Sequence, residues 1–361
     1  MSEKIKIAFL IPSLNPGGME RVMSEIIDYF NSKTNLELYL VLFGLNREVF
    51  YEIPSSVVIH KPDFEFDNKK RIWHTIKTIL FIRKTIKKIN PNTVLSFGEL
   101  WNNLVLLALL NTHYPVFVSD RCQPNKSLGK LHDFLRRILY KNATGIVAQT
   151  SIAKSICQKG IVKNTNIRVI GNPLMKQELV TTPREKIVLS VGRLIESKHH
   201  NELIKLFKKI NNSDWKLVIV GGDALNQNNK KKLEELIRSL EAEDKIQLVG
   251  NQKNVAFYYQ KSSVFAFTSS SEGFPNVIGE ALSYGLPVVS FDCIAGPSDM
   301  IQEGKNGNLI KLFDYNDFAA KLSLLMDDSI LRERMAAFAP ISIEKFDKNK
   351  IGQEYFEFIT H

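Results

Sequence analysis

Runs of apolar, β-branched residues alternate with helical patterns along the whole chain. Such runs are typical of strands buried on both faces of a parallel sheet, and the segments between them fit covering helices. In the first half the pattern predicts strands at residues 5–11, 38–43, 57–60, 93–96, 116–119, 145–148 and 167–170. In the second half it predicts strands at residues 187–191, 216–220, 246–249, 264–268 and 288–290. The prediction is an α/β protein with two doubly wound parallel sheets.

The boundary between the two halves is predicted near residues 171–184. Gly171-Asn172-Pro173 indicates a turn, because a proline restricts the residue before it, and the strand pattern restarts after Thr181-Thr182-Pro183. A chain of 361 residues is long enough for two domains with separate cores. The predicted parts are a first domain at residues 1–175, a second at 184–340, and a C-terminal helix at 341–361 that packs back towards the first domain.

The composition, 44% hydrophobic and 24% charged, is that of a globular protein. Cys122, Cys157 and Cys293 are scattered, with no histidine at metal-ligand spacing, so neither disulfides nor a zinc site is predicted. The apolar run in residues 1–11 is too short for a signal peptide. The longest one elsewhere, residues 104–110, falls short of the roughly 20 residues that cross a bilayer. We expect a protein of the reducing cytoplasm without a membrane span.

Positive charge is concentrated in the first half of the chain. Residues 1–173 carry 24 Lys and Arg against 13 Asp and Glu, whereas the remainder carries 24 against 25, and the net charge is +10. Such asymmetry indicates an anionic partner for the first half. Nucleic acid, acidic lipid headgroups and phosphorylated ligands all fit, and composition does not choose among them.

Residues 69–88 form a basic segment with eight Lys or Arg. Its apolar residues are Trp73, Ile76, Ile79, Leu80 and Phe81. On a helix these would form a stripe flanked by cations, which suits an anionic lipid surface. The alternative is a domain helix whose apolar face lies in the core and whose cations lie in water.

Two glycines, Gly17 and Gly18, lie between the first predicted strand and a helical pattern at residues 21–30. Glycine lets a bare backbone approach a ligand, and a helix N-terminus attracts phosphate, so both are candidate diphosphate contacts. A tight turn is the alternative. The spacing differs from G-x-G-x-x-G and no Walker loop occurs, so a dinucleotide cofactor is not predicted.

Arg193 and Lys198 follow the first predicted strand of the second half. Ligands of α/β proteins bind at the carboxyl ends of strands, where two cations could hold a diphosphate and stabilise its charge in place of a metal. Solvated surface charge is the alternative.

Two carboxylates flank the start of a helix predicted after the strand at residues 264–268. Pro275 suits a first helical turn, so Glu272 lies in the loop and Glu280 about one and a half turns inside the helix. Glu272 could accept hydrogen bonds from sugar hydroxyls, and Glu280 could bind a ribose diol. The backbone N–H groups of Asn276 and Val277 would be free to meet phosphate. A helix with an ordinary acidic first turn is the alternative.

With seven residues between them and Gly273-Phe274-Pro275 in that interval, Glu272 and Glu280 resemble the E-x7-E motif of retaining glycosyltransferases, in particular glycosyltransferase family 4. Further motifs follow the order of that family: Gly17-Gly18-x-Glu20, Ser119-Asp120-Arg121, Asn172-Pro173, Gly192-Arg193 to Lys198, and Ala281-x-x-x-Gly285-x-Pro287-Val288-Val289. The resemblance covers nearly the full chain.

The resemblance implies the GT-B fold, in which two Rossmann-like domains face each other across a cleft. The second would hold the donor and the first the acceptor. Arg193 and Lys198 are implied to bind the donor diphosphate, Glu280 the ribose, and Glu272 with the backbone of Phe274 to Val277 the transferred sugar. The implied reaction needs no cofactor or metal, retains anomeric configuration, and uses the leaving phosphate to help deprotonate the acceptor.

Ser119-Asp120-Arg121 lies where many family members have a histidine and where a subgroup acting on lipid-linked oligosaccharides has Ser-Glu-Arg. Asp120 is thereby implied to contact the acceptor or the sugar. Its shorter side chain also suits a helix cap.

The expected function is transfer of a hexose or N-acetylhexosamine from a UDP-sugar to a polyprenyl-diphosphate-linked glycan, in surface polysaccharide assembly. The expected place is the inner face of the cytoplasmic membrane, bound peripherally to anionic lipids. Alternatives are a GDP-hexose donor such as GDP-mannose, a nucleic-acid-binding module, and a catalytically silent sugar-nucleotide-binding protein. Nucleic acid is not expected because no RNA- or DNA-binding motif accompanies the charge. The presence of Glu272, Arg193 and Lys198 argues against a silent protein.

Overall fold

The computed structural model describes residues 4–46, 49–161, 166–177, 183–210, 212, 214–224 and 227–361, with the side chains of residues 160 and 161 left out. The chain divides into two compact units. Met1–Pro173 together with Lys348–His361 form the first domain, and Leu174–Asp347 form the second. Each domain contains one sheet, so the two predicted sheets are confirmed. Thr181 and Thr182, where the strand pattern was predicted to restart, lie outside the described residues.

The first domain is built on parallel strands in the order β3-β2-β1-β4-β5-β6-β7. The strands are β1 Ile5–Ile11, β2 Leu36–Leu42, β3 Val58–His60, β4 Thr93–Phe97, β5 Val116–Ser119, β6 Gly145–Ala148 and β7 Ile167–Val169. The helices are α1 Gly18–Asn31, α2 Arg71–Ile89, α3 Glu99–Ala108, α4 Lys130–Leu139, α5 Ser151–Ile156 and the C-terminal α13 Lys348–Thr360. Every strand predicted in this half is present.

Helix α13 packs on α1 of the same domain. The hydroxyl of Tyr29 donates to Oε1 of Gln353 at 2.7 Å. Gly352 lies on the Tyr29 ring so closely that an added Cβ would be 2.3 Å from the ring. On the other face of the sheet, α2, α3 and α4 share one buried apolar cluster, and α3 contacts both of the others.

The second domain is built on parallel strands in the order β10-β9-β8-β11-β12-β13. The strands are β8 Ile187–Val191, β9 Lys216–Val220, β10 Ile246–Gly250, β11 Val264–Phe267, β12 Val288–Asp292 and β13 Gly307–Lys311. The helices are α6 His200–Ile210, α7 Asn229–Ser239, α8 Val255–Lys261, α9 Asn276–Ser283, α10 Pro297–Met300, α11 Tyr315–Asp327 and α12 Ser329–Ser342.

Strand β13 is absent from the sequence prediction. It contains only two large apolar residues, Leu309 and Ile310, and it lies at the edge of the sheet, paired with β12 alone. An edge strand is covered less completely than a central one, so its residues need not form the apolar run that marks a buried strand.

Both sheets have a topological switch point, where the strand order reverses direction. It lies between β1 and β4 in the first domain and between β8 and β11 in the second. Ligands of open α/β sheets bind outside the carboxyl ends of the strands at such points. Among the described residues, no helix has the length and low charge that a transmembrane span requires.

Candidate active site

The loops that leave β8 and β11 meet at the switch point of the second sheet. The backbone N–H of Ser270 donates to the carbonyl of Ser197 at 2.8 Å, and the hydroxyl of Thr268 donates to the carbonyl of Lys198 at 2.7 Å. The loop after β9 also packs against the β8 loop, since a Cβ on Gly221, at φ 148°, would lie 1.9 Å from the Gly192 carbonyl oxygen. Short polar side chains and bare backbone therefore hold these loops together.

Lys198 and Glu272 form an ion pair across the two loops. Nζ of Lys198 lies 2.5 Å from Oε1 of Glu272, and the two side chains are 15% and 14% exposed. Nζ also lies 5.0 Å from the centre of the Phe267 ring. Gly192 leaves room for the lysine stem, because a Cβ there would contact Cε at 3.3 Å. The structure thus brings together a predicted cation and a predicted carboxylate that are 74 residues apart in the chain.

Arg193 lies on the same loop but its side chain has different neighbours. It is exposed and lines a cavity of about 600 Å³ together with Ser197, Asn228 and Lys232. Within the described residues, no hydrogen bond or ion pair joins Arg193 to Lys198 or Glu272. The two predicted diphosphate ligands therefore share a loop without touching.

Helix α9 begins one residue later than the sequence predicts, with Pro275 as its N-cap. Gly296, at φ 104°, makes room for this turn, since a Cβ there would lie 2.0 Å from Cδ of Pro275. The N–H of Asn276, predicted to be free, donates to the carbonyl of Phe274 at 3.0 Å. That part of the prediction was wrong because the turn before the helix uses the amide. Val277 lies in the first turn of α9.

The Phe274 side chain is buried against Phe346, with ring centres 5.4 Å apart. The resemblance implied a donor contact for the backbone of Phe274 and not for its ring. The ring packs inside the second domain.

Glu280, inside α9, accepts a hydrogen bond from the hydroxyl of Tyr259 at 2.9 Å. Tyr259 in turn stacks on Tyr284, with ring centres 5.3 Å apart. Burial, and then the Glu280 charge, raises the pKa of Tyr284. Sequence reasoning missed Tyr259, and the signal available was the Tyr258-Tyr259 pair just before a buried strand. The tyrosine orients the carboxylate that was predicted to bind ribose.

In the first domain, Gly17 is the N-cap of α1 and Gly18 its first residue. The N–H of Gly17 donates to the Tyr51 hydroxyl at 3.0 Å, and that hydroxyl donates to the Gly17 carbonyl at 2.8 Å. A Cβ on Gly17 would lie 2.2 Å from Oε2 of Glu20. To bind a phosphate oxygen, the Gly17 N–H would have to release the Tyr51 hydroxyl. Tyr51 was not predicted from the sequence.

Asp120, at the end of β5, is buried in a polar cluster of its own domain. Its carboxylate pairs with Arg136 of α4 and accepts from the Tyr140 hydroxyl at 2.6 Å and from the Asn102 amide at 3.3 Å. Burial alone would lower the pKa of Arg136, but the Asp120 carboxylate raises it above its usual range. The Asp120 carboxylate therefore already accepts from three side chains of its own domain.

Arg121 joins the other motifs of the first domain. Its guanidinium donates to Oδ1 of Asn172 at 2.6 Å and to the Tyr355 hydroxyl of α13 at 2.7 Å, and it lies 3.7 Å from the centre of the Phe97 ring. The Ser-Asp-Arg and Asn-Pro motifs therefore tie the β5 loop to the last helix of the domain.

A second buried carboxylate, Glu99, was missed by the sequence analysis. It follows Gly98, which has φ 91°, and its Oε1 accepts from the backbone N–H groups of Arg121 at 2.8 Å and Cys122 at 2.6 Å. Burial, and then the negative charge of Asp120, raises the pKa of Glu99. The only sequence signal was an acidic residue three positions after the end of a predicted strand.

We expect Glu99 to make stability depend on pH. Because the folded state raises its pKa, the folded protein keeps a proton that the unfolded chain releases. The contribution of Glu99 is therefore full below the ordinary value of 4.5 and is lost as pH rises towards the folded pKa. In hydrogen exchange of the α3 amides at a series of pH values, the stability of the first domain of the wild type should fall relative to that of Glu99→Gln through this window. A difference that is constant with pH would contradict the assignment.

Known proteins resemble this chain both in a family model and over nearly its full length. Residues 172–341 match the family model described as glycosyl transferases group 1. A relative from Campylobacter jejuni, the N-acetylgalactosamine-N,N'-diacetylbacillosaminyl-diphospho-undecaprenol 4-alpha-N-acetylgalactosaminyltransferase, is 27% identical over 98% of this chain and 99% of its own length. An amylovoran biosynthesis glycosyltransferase from Erwinia amylovora is 29% identical over 92% of this chain and 93% of its own.

The fold is shared with solved structures. The crystal structure of Anabaena HepE in complex with UDP superposes with a TM-score of 0.81 at 18% identity, covering 98% of this chain and 99% of that one. The switch-point loops of the second domain, which hold the Lys198–Glu272 pair, lie within the matched residues 172–341. The chain is a glycosyltransferase of the GT-B fold, and residues 172–341, which include most of its second domain, match the glycosyl transferases group 1 family model.

Proposed function

We propose that the protein transfers a hexose or N-acetylhexosamine from a UDP-sugar to a polyprenyl-diphosphate-linked glycan, with retention, in surface polysaccharide biosynthesis. The observation that carries the proposal is the Lys198–Glu272 pair at the switch point of the second sheet. A cation next to a carboxylate suits two neighbouring parts of a nucleotide-sugar, since the anionic diphosphate is bonded directly to the sugar and its hydroxyls.

In this proposal the ion pair exchanges its partners when the donor binds. A diphosphate oxygen takes the place of Glu272 on Lys198, which frees the carboxylate to accept hydrogen bonds from sugar hydroxyls. Arg193, exposed on the same loop, adds a second positive charge. The two cations stabilise the charge that develops on the leaving diphosphate, and such preorganised charge is worth most in the transition state.

Glu280 holds the nucleoside in the same proposal. Its carboxylate is oriented by Tyr259 at 2.9 Å, so it can accept hydrogen bonds from both hydroxyls of a ribose without first ordering itself. Retention follows if the acceptor hydroxyl attacks from the face that the diphosphate leaves and gives its proton to the departing phosphate oxygen.

The acceptor class is supported by relatives. The Campylobacter enzyme at 27% identity and a second one at 25%, an alpha-1,4-N-acetyl-D-galactosaminyltransferase named for a diNAcBac-PP-undecaprenol substrate, both have lipid-linked saccharides in their names. With an acceptor anchored in a bilayer and a UDP-sugar as donor, the proposed enzyme would act at the cytoplasmic face of the membrane. The basic first half of the chain fits the diphosphate of such an acceptor.

The test is release of nucleoside diphosphate from a panel of UDP- and GDP-sugars, with and without a polyprenyl-diphosphate glycan. We expect the enzyme to turn over one UDP-sugar, and to do so faster when acceptor is present. Glu272→Ala and Arg193→Ala should lose this activity. EDTA should not reduce it. Lys231→Ala, an exposed lysine of α7, is the matched control. Turnover of a GDP-sugar alone would move the donor to the GDP class, and donor binding without turnover on any acceptor would contradict the enzymatic proposal.

A further inference from the structure

Helix α2 has two apolar faces. One faces the core of the first domain and includes Ile82, Ile86 and Ile89. The other is in solvent, where four side chains are 80%, 57%, 43% and 59% exposed, namely Ile72, Trp73, Ile76 and Leu80. At about 100° per residue the centres of the two sets lie roughly 130° apart around the helix. Core packing therefore accounts for only part of the apolar stripe seen in the sequence.

Helix α4 repeats this arrangement in the same layer of the domain. Leu131, Phe134 and Ile138 follow helical spacing and are 66%, 59% and 39% exposed. Leu139 and Arg136 are buried on the other side of the helix. We call the seven exposed side chains the α2/α4 face: Ile72, Trp73, Ile76, Leu80, Leu131, Phe134 and Ile138.

The cations of α2 and the turn before it lack acidic partners. The turn Asn68–Lys70 and helix α2 contain eight Lys or Arg and no Asp or Glu. Within the described residues none of the eight forms an ion pair. Arg83 donates to the carbonyls of Ala108 and Leu110 at the end of α3, and Lys77 lies 5.7 Å from the centre of the Trp73 ring. The surface thus combines exposed apolar side chains with uncompensated positive charge.

We propose that the α2/α4 face docks the first domain on a bilayer that contains anionic lipids. The apolar side chains would enter the boundary between headgroups and acyl chains, and the lysines would pair with the headgroups. A second copy of the chain fits poorly, because it would bring two rows of cations together. Nucleic acid fits poorly as well, because aliphatic side chains occupy most of the face and offer no hydrogen bonds to bases or phosphates. The proposal goes beyond the transfer reaction and depends on neither the donor nor the acceptor.

The test is sedimentation of the full-length protein with vesicles of phosphatidylcholine alone or mixed with phosphatidylglycerol. We expect binding to the mixed vesicles, roughly tenfold weaker in Trp73→Ser and in Phe134→Ser because each loses buried apolar area. Lys84→Gln should weaken binding about fivefold, because it removes one of the positive charges that attract the anionic headgroups. The matched controls are Ile330→Ser, 79% exposed on α12, and Lys231→Gln on α7, and both should bind like the wild type.

The same variants separate docking from folding. All changed side chains are exposed, so a variant that loses docking should keep the melting temperature of the wild type. Equal binding to neutral and anionic vesicles, or full binding by both Trp73→Ser and Phe134→Ser, would overturn the proposal. Loss of a dimer in these variants, measured by light scattering without vesicles, would assign the face to a second copy and overturn it too.

Discussion

Replacing Lys198 with alanine is expected to lower kcat by about 10²- to 10³-fold, the usual effect of removing one group that stabilises transition-state charge. The change removes the cation from the leaving diphosphate and leaves Glu272 without its partner at 2.5 Å. The KM for the donor should change much less, because charge on the diphosphate is largest in the transition state. Steady-state release of nucleoside diphosphate with saturating acceptor measures both constants.

Lys205→Ala is the matched control for this prediction. Lys205 forms a comparable ion pair with Glu202, at 2.9 Å, but both side chains lie on α6 and the lysine is 51% exposed. Its removal should leave kcat within about twofold, as expected for a surface pair. Lys198→Arg, which keeps the charge, should recover part of the activity. If Lys198→Ala and Lys205→Ala had similar kcat values, Lys198 would have no part in the chemistry.

Replacing Arg136 with methionine is expected to destabilise the first domain by about 3–5 kcal/mol, the cost of leaving a buried charge without its partner. The Arg136 and Asp120 side chains are only 5% and 11% exposed, so water cannot replace the lost guanidinium. Hydrogen exchange of the α4 amides measures the effect in the first domain alone, which matters because a two-domain chain need not unfold in one step.

The double variant Asp120→Asn/Arg136→Met should recover most of that stability, because it removes both charges together. Arg137→Met, the exposed neighbour on the same helix, should change stability by less than about 0.5 kcal/mol. A loss below about 1 kcal/mol in Arg136→Met would mean that Asp120 is not held by this pair. It would then be available to a substrate, as the family resemblance implies.

Most of the fold could be predicted from local sequence. Central strands such as β1, β4 and β8 are buried along most of their length, so they consist mainly of apolar residues, many of them β-branched. Candidate residues after strand ends, such as Arg193, Lys198 and Glu272, could be found because the order and spacing of motifs can be read directly from the sequence. Strand β13 could not be predicted, because an edge strand has a weaker apolar pattern than a central one.

The partners of the candidate residues could not be predicted from the sequence. Tyr51 lies 34 residues from Gly17, and Tyr259 lies 21 residues from Glu280, with nothing in the local pattern to link either pair. The buried cluster around Asp120 joins residues from β5, α3 and α4, and Glu99 joins it through backbone amides. Contacts between residues on different elements depend on how those elements pack, which hydrophobic periodicity does not encode.

The sequence by itself determined two parallel sheets, the loops after strands that carry Arg193, Lys198 and Glu272, the helix that carries Glu280, and the excess of cations in the first half. Strand burial, loop position and charge are all local properties. Only the tertiary structure decided that Lys198 pairs with Glu272, that Asp120 is held by Arg136, and that α2 and α4 expose apolar side chains on the side away from their core. Those facts depend on which surfaces the packing of the chain covers and which charges it brings within a few ångströms.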